Sequence, residues 1–106
     1  DHTFANFSVM LYLIKNGAKA VLADDKNIVQ MVLPGTILLE PVENAKFSLM
    51  PFGGVVSGLT VKNAGYEVCD YVLTPDFPVG VSNEFIGRVV EISFKDGILL
   101  IFISID

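Results

Sequence analysis

The chain has 106 residues, 52% of them hydrophobic and 18% charged, a length that suits one domain and an apolar content that excludes disorder. Twelve acidic against seven basic residues leave a net charge of −5, and the bases stand singly along the chain, so the clustered positive charge of a nucleic-acid groove is missing. Its longest uninterrupted apolar runs, residues 9–14 and 98–103, fall far short of the roughly 20 residues a spanning helix needs, so no membrane association is expected.

Residues 3–16 read as the one helix. Phe4, Phe7, Leu11 and Ile14 recur on one face of a 3.6-residue period. Asp1 or Thr3 can cap its first amides, and Asn16-Gly17 suits its end. Residues 9–14 are apolar all round, which predicts cover on more than one side, by a sheet or by a partner chain.

Strands follow. Residues 20–23 and 28–33 flank Asp24-Asp25-Lys26-Asn27, a polar hairpin turn. Pro34-Gly35 turns the chain into a strand over 36–40, and Glu43-Asn44-Ala45 into another over 46–52. Gly53-Gly54 precedes a strand at 57–61, and Asn63-Ala64-Gly65 precedes one over 66–73. Pro75 and Pro78 bracket an irregular stretch, because neither ring nitrogen can donate to a ladder. Strands over 86–94 and 98–103 then flank Lys95-Asp96-Gly97, the strongest hairpin signal in the chain. This pattern predicts a mainly β fold: an antiparallel β-sandwich of about eight short strands with one N-terminal helix. Strands do not alternate with helices, so a doubly wound parallel sheet is disfavoured. Without a repeat or a low-complexity linker, residues 1–106 read as a single domain.

Little in the composition points to chemistry. Cys69 is the only cysteine and His2 the only histidine. The chain therefore holds no internal disulfide or Cys-rich zinc site, and a serine triad would have to be built around its second residue. Asp24-Asp25 falls in a predicted turn, where aspartates serve local hydrogen bonds. Gly53-Gly54 and Gly80 lack the lysine and helix start of a phosphate-cradling loop. Cys69 stands between Val68 and Asp70 with no base beside it. No complete catalytic apparatus and no metal-ligand set is legible. No basic segment leads into an apolar core as in a secretory signal, and a cytoplasmic setting is expected.

One loop stands out. Gly80-Val81-Ser82-Asn83-Glu84 places a hydroxyl, an amide and a carboxylate in adjacent positions. Ser82 and Asn83 suit the edge of a polar heteroaromatic ligand. Tyr66, at the predicted start of a strand, offers a ring to a flat or cationic one. The residues alone also fit, and by themselves favour, an ordinary polar loop beside a half-buried strand tyrosine.

Several stretches, in order over nearly the whole chain, resemble the C-terminal domain of the thiamine pyrophosphokinase family. They are Asp1-His2-Thr3 with Ala5-Asn6, Leu33-Pro34-Gly35-Thr36, and residues 47–54, which read Phe-Ser-Leu-Met-Pro-Phe-Gly-Gly. Ser57-Gly58-Leu59-Thr60, Gly65-Tyr66, the Gly-Val-Ser-Asn-Glu loop and the closing Gly97-Ile98-Leu99-Leu100 complete the set. The resemblance implies transfer of diphosphate from ATP to thiamine with magnesium, giving thiamine diphosphate and AMP. It also implies an N-terminal α/β domain for nucleotide and metal, followed by a thiamine-binding β-sandwich. Two copies would form a homodimer, with thiamine between one subunit's N-terminal domain and the other's sandwich.

On that layout the chain is the sandwich, excised from a longer protein as its start at Asp1 rather than methionine indicates. ATP and Mg2+ would then be held by the absent domain, and the chain alone would be inactive as a kinase. By the same resemblance Asp1 is the catalytic candidate, closing a Gly-Gly-x-x-Asp-His-type signature near the reacting phosphates. Ser82 and Asn83 face the aminopyrimidine, and Tyr66 takes the place of an aromatic residue that packs on thiamine and is tryptophan in some members. The alternative is a free-standing, non-catalytic β-sandwich that binds a ligand or a partner. Self-association is expected through the apolar helix and the last strand.

Overall fold

Apolar residues at alternate positions give each strand one face to bury, and two sheets meet along those faces. The computed structural model describes Lys15 and residues 20–76 and 83–105. Nine strands lie among them: β1 (Ala20–Ala23), β2 (Asn27–Val32), β3 (Gly35–Leu39), β4 (Ala45–Pro51), β5 (Val56–Lys62), β6 (Val68–Leu73), β7 (Asn83–Glu84), β8 (Val90–Phe94) and β9 (Leu99–Ile105). One sheet has the order β1-β2-β9-β4-β7 and the other β3-β8-β5-β6. Every pairing is antiparallel. The two-sheet antiparallel expectation holds, with nine strands against about eight. The helix expected over 3–16 lies outside the described residues except for Lys15, which is exposed. Among the described residues no helix is long and apolar enough to cross a membrane.

Between the sheets, Phe47, Leu49, Leu99 and Ile101 of the five-stranded sheet share a cluster with Val56, Leu59, Val90 and Ile92 of the four-stranded one. All eight are at most 1% exposed, and each such side chain contributes about 1.5–3 kcal/mol by leaving water. The opposite face of the five-stranded sheet is apolar as well. Ala20, Met31, Leu100 and Met50 form one row across β1, β2, β9 and β4, and Leu22, Val29 and Phe102 start the next. Met31 and Leu100 are 1% and 4% exposed, so the middle of this outer face is buried too, while Met50 at its edge is exposed. The last strand, expected to offer apolar surface to a second copy, thus has much of that surface covered within the chain.

Three sequence expectations need correction. The strand predicted over 66–73 starts only at Val68. The strand predicted over 86–94 is confined to β8 at Val90–Phe94; β7, at Asn83–Glu84, precedes it and belongs to the other sheet. Gly87, at φ 79°, turns the chain between them. The Lys95-Asp96-Gly97 turn closes no hairpin, because β8 and β9 also lie in different sheets. Lys95 N–H donates to Ser57 O at 2.9 Å, and Ser57 N–H donates to Asp96 O at 3.0 Å. The Ser57 hydroxyl adds a bond to Asp96 Oδ2 at 3.2 Å. Residues 95 and 96 therefore continue beside β5, and Gly97 (φ 100°) swings the chain across the sandwich. A side chain on Gly97 would run into the Val55 carbonyl oxygen.

Candidate functional site

The two-residue strand β7 pairs Asn83 with Phe47 and Glu84 with Lys46 at one edge of the five-stranded sheet. Its other side reaches the loop between β5 and β6 of the opposite sheet. Gly65 N–H donates to Glu84 O at 3.0 Å, and Ala64 bridges antiparallel to Phe85. The Phe85 ring is tilted against that of Phe47, centroids 5.0 Å apart. The segment 83–85 therefore ties both sheets together at this end of the molecule.

Asn83 carries the stitch one residue further. At 4% exposure it is the one polar side chain buried among the described residues. Its Oδ1 accepts the Tyr66 N–H at 2.9 Å and its own neighbour's amide, Glu84 N–H, at 2.8 Å. Its Nδ2 donates to Tyr66 O at 2.9 Å. The side-chain amide thus stands in for a peptide group and gives Tyr66 the donor–acceptor pair of a ladder. This is why strand β6 starts late, since both backbone groups of Tyr66 are already engaged. Both acceptor sites of Oδ1 are filled, and one Nδ2 hydrogen remains.

The rest of the loop is held as firmly. Asn63, at φ 67°, donates through Nδ2 to Val89 O at 3.2 Å, and its N–H donates to the Glu67 carboxylate. A backbone fixed on both sides presents the Tyr66 ring to solvent at 57% exposure. Glu67 follows it in the chain, and Glu84 lies against Gly65. An exposed ring with carboxylates near it suits a flat, positively charged ligand.

The structure brings Tyr66 and Asn83 together. Asp1 and Ser82 lie outside the described residues. Asn63 was read only as part of the turn before a strand, and Glu67, which holds its N–H, went unnoticed in the sequence. Asp24 serves the β1–β2 turn: Oδ1 accepts the amides of Lys26 and Asn27, both at 2.8 Å. Cys69 is free and exposed. An open groove on the outer face of the four-stranded sheet is lined by Thr36, Ser93 and Thr60 with Asp70 and Lys95, and the aromatic beside it, Phe94, is buried rather than presented to solvent like Tyr66. Among the described residues no three His, Cys, Asp or Glu side chains converge to hold a metal ion. The magnesium that the resemblance implies finds no donor set among them.

Comparison with known proteins points the same way. The family described as thiamin pyrophosphokinase, vitamin B1 binding domain, matches residues 36–99. Thiamine pyrophosphokinase of Bacillus subtilis is 31% identical over 107 residues, spanning 100% of this chain and 50% of the relative. The crystal structure of a Bacillus subtilis thiamine pyrophosphokinase superposes at a TM-score of 0.93 over 100% of this chain and 50% of that one. A thiamin pyrophosphokinase from Geobacillus thermodenitrificans is 25% identical with a TM-score of 0.85, covering 100% and 49%. Yeast thiamin pyrophosphokinase, 14% identical, shares the fold at a TM-score of 0.83 over 98% of this chain and 36% of its own. The chain spans about half the length of the curated relative it matches.

Proposed function

Because this chain belongs to the thiamin pyrophosphokinase vitamin B1 binding domain family, we propose that it supplies the thiamine-binding half of an enzyme that moves diphosphate from ATP to thiamine. That membership favours this reading over a free-standing β-sandwich without chemistry. The observation that carries the site assignment is the exposed Tyr66 ring on a loop bonded to both sheets, inside the residues the family matches.

Thiamine joins a flat aminopyrimidine to a permanently cationic thiazolium. The face of Tyr66 attracts the cation, by about 0.5–1 kcal/mol at an exposed site and about 2 once water is excluded. Glu67 and Glu84 favour positive charge nearby. Ser82 is assigned to the pyrimidine side, whereas the amide of Asn83, expected beside it, is engaged by Tyr66 and Glu84. Asp1 is assigned a place near the reacting phosphates, while ATP and Mg2+ contacts belong to the length of the relatives that this chain does not match. The chain by itself therefore binds and does not transfer. Pairing of two copies to close the thiamine cleft, in the cytoplasm, belongs to the same reading.

The test is thiamine KM and kcat in the complete protein. Tyr66→Ala is expected to raise thiamine KM about fivefold, the equivalent of one lost ring contact of about 1 kcal/mol. Tyr66→Trp keeps KM near its starting value, and ATP KM stays put in both. An unchanged thiamine KM in Tyr66→Ala refutes the site.

A further inference from the structure

Asn83 is buried, and its amide is turned to a backbone rather than to the open end of the molecule. Three of its four hydrogen-bonding positions go to main-chain groups: Tyr66 N–H, Tyr66 C=O and Glu84 N–H. The two groups on Tyr66 sit 17 residues away in sequence and belong to the loop that carries the exposed ring. We propose that Asn83 is a positioning residue: it acts on the ligand through Tyr66, by fixing the backbone from which the ring projects. The inference rests on the reading that Tyr66 meets thiamine, and deepens it.

A tyrosine on a loop free to move must be immobilised when a ligand lands on it, and ordering one residue's backbone costs about 1–2 kcal/mol. Asn83 meets that cost during folding. Gly65 N–H to Glu84 O holds the residue before Tyr66, and Glu67 is held to Asn63 N–H on the other side. Between these ties, Tyr66 itself has the Asn83 amide as the partner of both its backbone groups. A group that acts through the ring has nothing further to give once the ring is gone.

The test combines binding with a readout on the loop in the complete protein, using thiamine as the probe. Asn83→Ala is expected to raise thiamine KM about threefold to fivefold with ATP KM unchanged, and to speed amide hydrogen exchange at Tyr66. The double variant Asn83→Ala with Tyr66→Ala is expected to be no worse than Tyr66→Ala alone. Asn83→Asp keeps both acceptor bonds, loses the donation to Tyr66 O and sets an oxygen against that carbonyl in its place. It is expected to protect the Tyr66 amide and to raise KM less, and it replaces Asn83→Ala if circular dichroism shows that variant unfolded. Full additivity in the double variant overturns the proposal, because Asn83 would then touch the ligand itself. So does an Asn83→Ala protein with unchanged thiamine KM while Tyr66→Ala raises it. A Tyr66→Ala protein with unchanged thiamine KM overturns instead the site reading on which the proposal stands.

Discussion

Asp24 takes the amides of Lys26 and Asn27 on one oxygen, and those two bonds, Lys26's first, hold its carboxyl below the ordinary aspartate range. A carboxylate whose folded pKa is depressed stabilises the fold above its unfolded pKa, and loses that contribution as pH falls through the folded value. We expect the Asp24 carboxyl, followed by NMR, to titrate with a midpoint below that of an aspartate in an unstructured peptide. A midpoint at or above the peptide value would mean the turn is open in solution. This side chain was legible in the sequence because its partners are two and three residues away. Asn83 was legible only by type. The sequence marks it as a group able to pair with something, but its partner lies across the sandwich. Tyr66 was seen as a ring for a ligand, whereas its placement in a loop rather than a strand followed from Asn83 and was hidden with it.

At the scale of elements, alternation of apolar and polar residues located the strands within a residue or two through β1 to β5. Local pattern says where a strand is and not which strand it joins. Lys95-Asp96-Gly97 has hairpin chemistry between two apolar runs, yet the backbone of Ser57 bonds residues 95 and 96 and keeps them with β5. The turn then becomes a corner between sheets. Gly97→Ala tests this. The backbone there (φ 100°) is one that side chains rarely adopt, and the new Cβ would meet the carbonyl of Val55. We expect a loss of about 1–3 kcal/mol in urea unfolding, with thiamine KM unaffected in the folded protein. A change within about 0.5 kcal/mol, the range of an ordinary surface site, would show a relaxed hairpin instead.

At the scale of the molecule, the five-stranded sheet buries apolar side chains on both faces. Ile101 points into the sandwich and is 0% exposed, and Leu100, facing the other way, is 4% exposed. Leu100→Ala is therefore expected to cost about 2–4 kcal/mol, as much as Ile101→Ala on the inner face. Thermal or denaturant unfolding of the two variants side by side measures it. A near-neutral Leu100→Ala would mean that the outer rows are wetted in solution. The near-continuous apolar run over 98–103, expected above to meet a second copy, fits burial on two sides, since a half-solvated strand would alternate.

Strand β9 has a consequence for how the protein is made. It lies between β2 and β4, and its hydroxyl of Ser104 donates to Asn27 Oδ1 across 77 residues of sequence. While the ribosome is still delivering residues 99–105, β2 and β4 have been synthesised but lack the strand that joins them. The β1–β2 hairpin is left alone, and a two-stranded hairpin is marginal in water. The other sheet waits nearly as long, because β8 joins β3 to β5. Neither half can be completed early, so the apolar rows stay open to chaperones and to neighbouring chains until the final strand arrives. Folding of this sandwich then waits for its last strand and has long loops to close, the slow regime for a domain of this size.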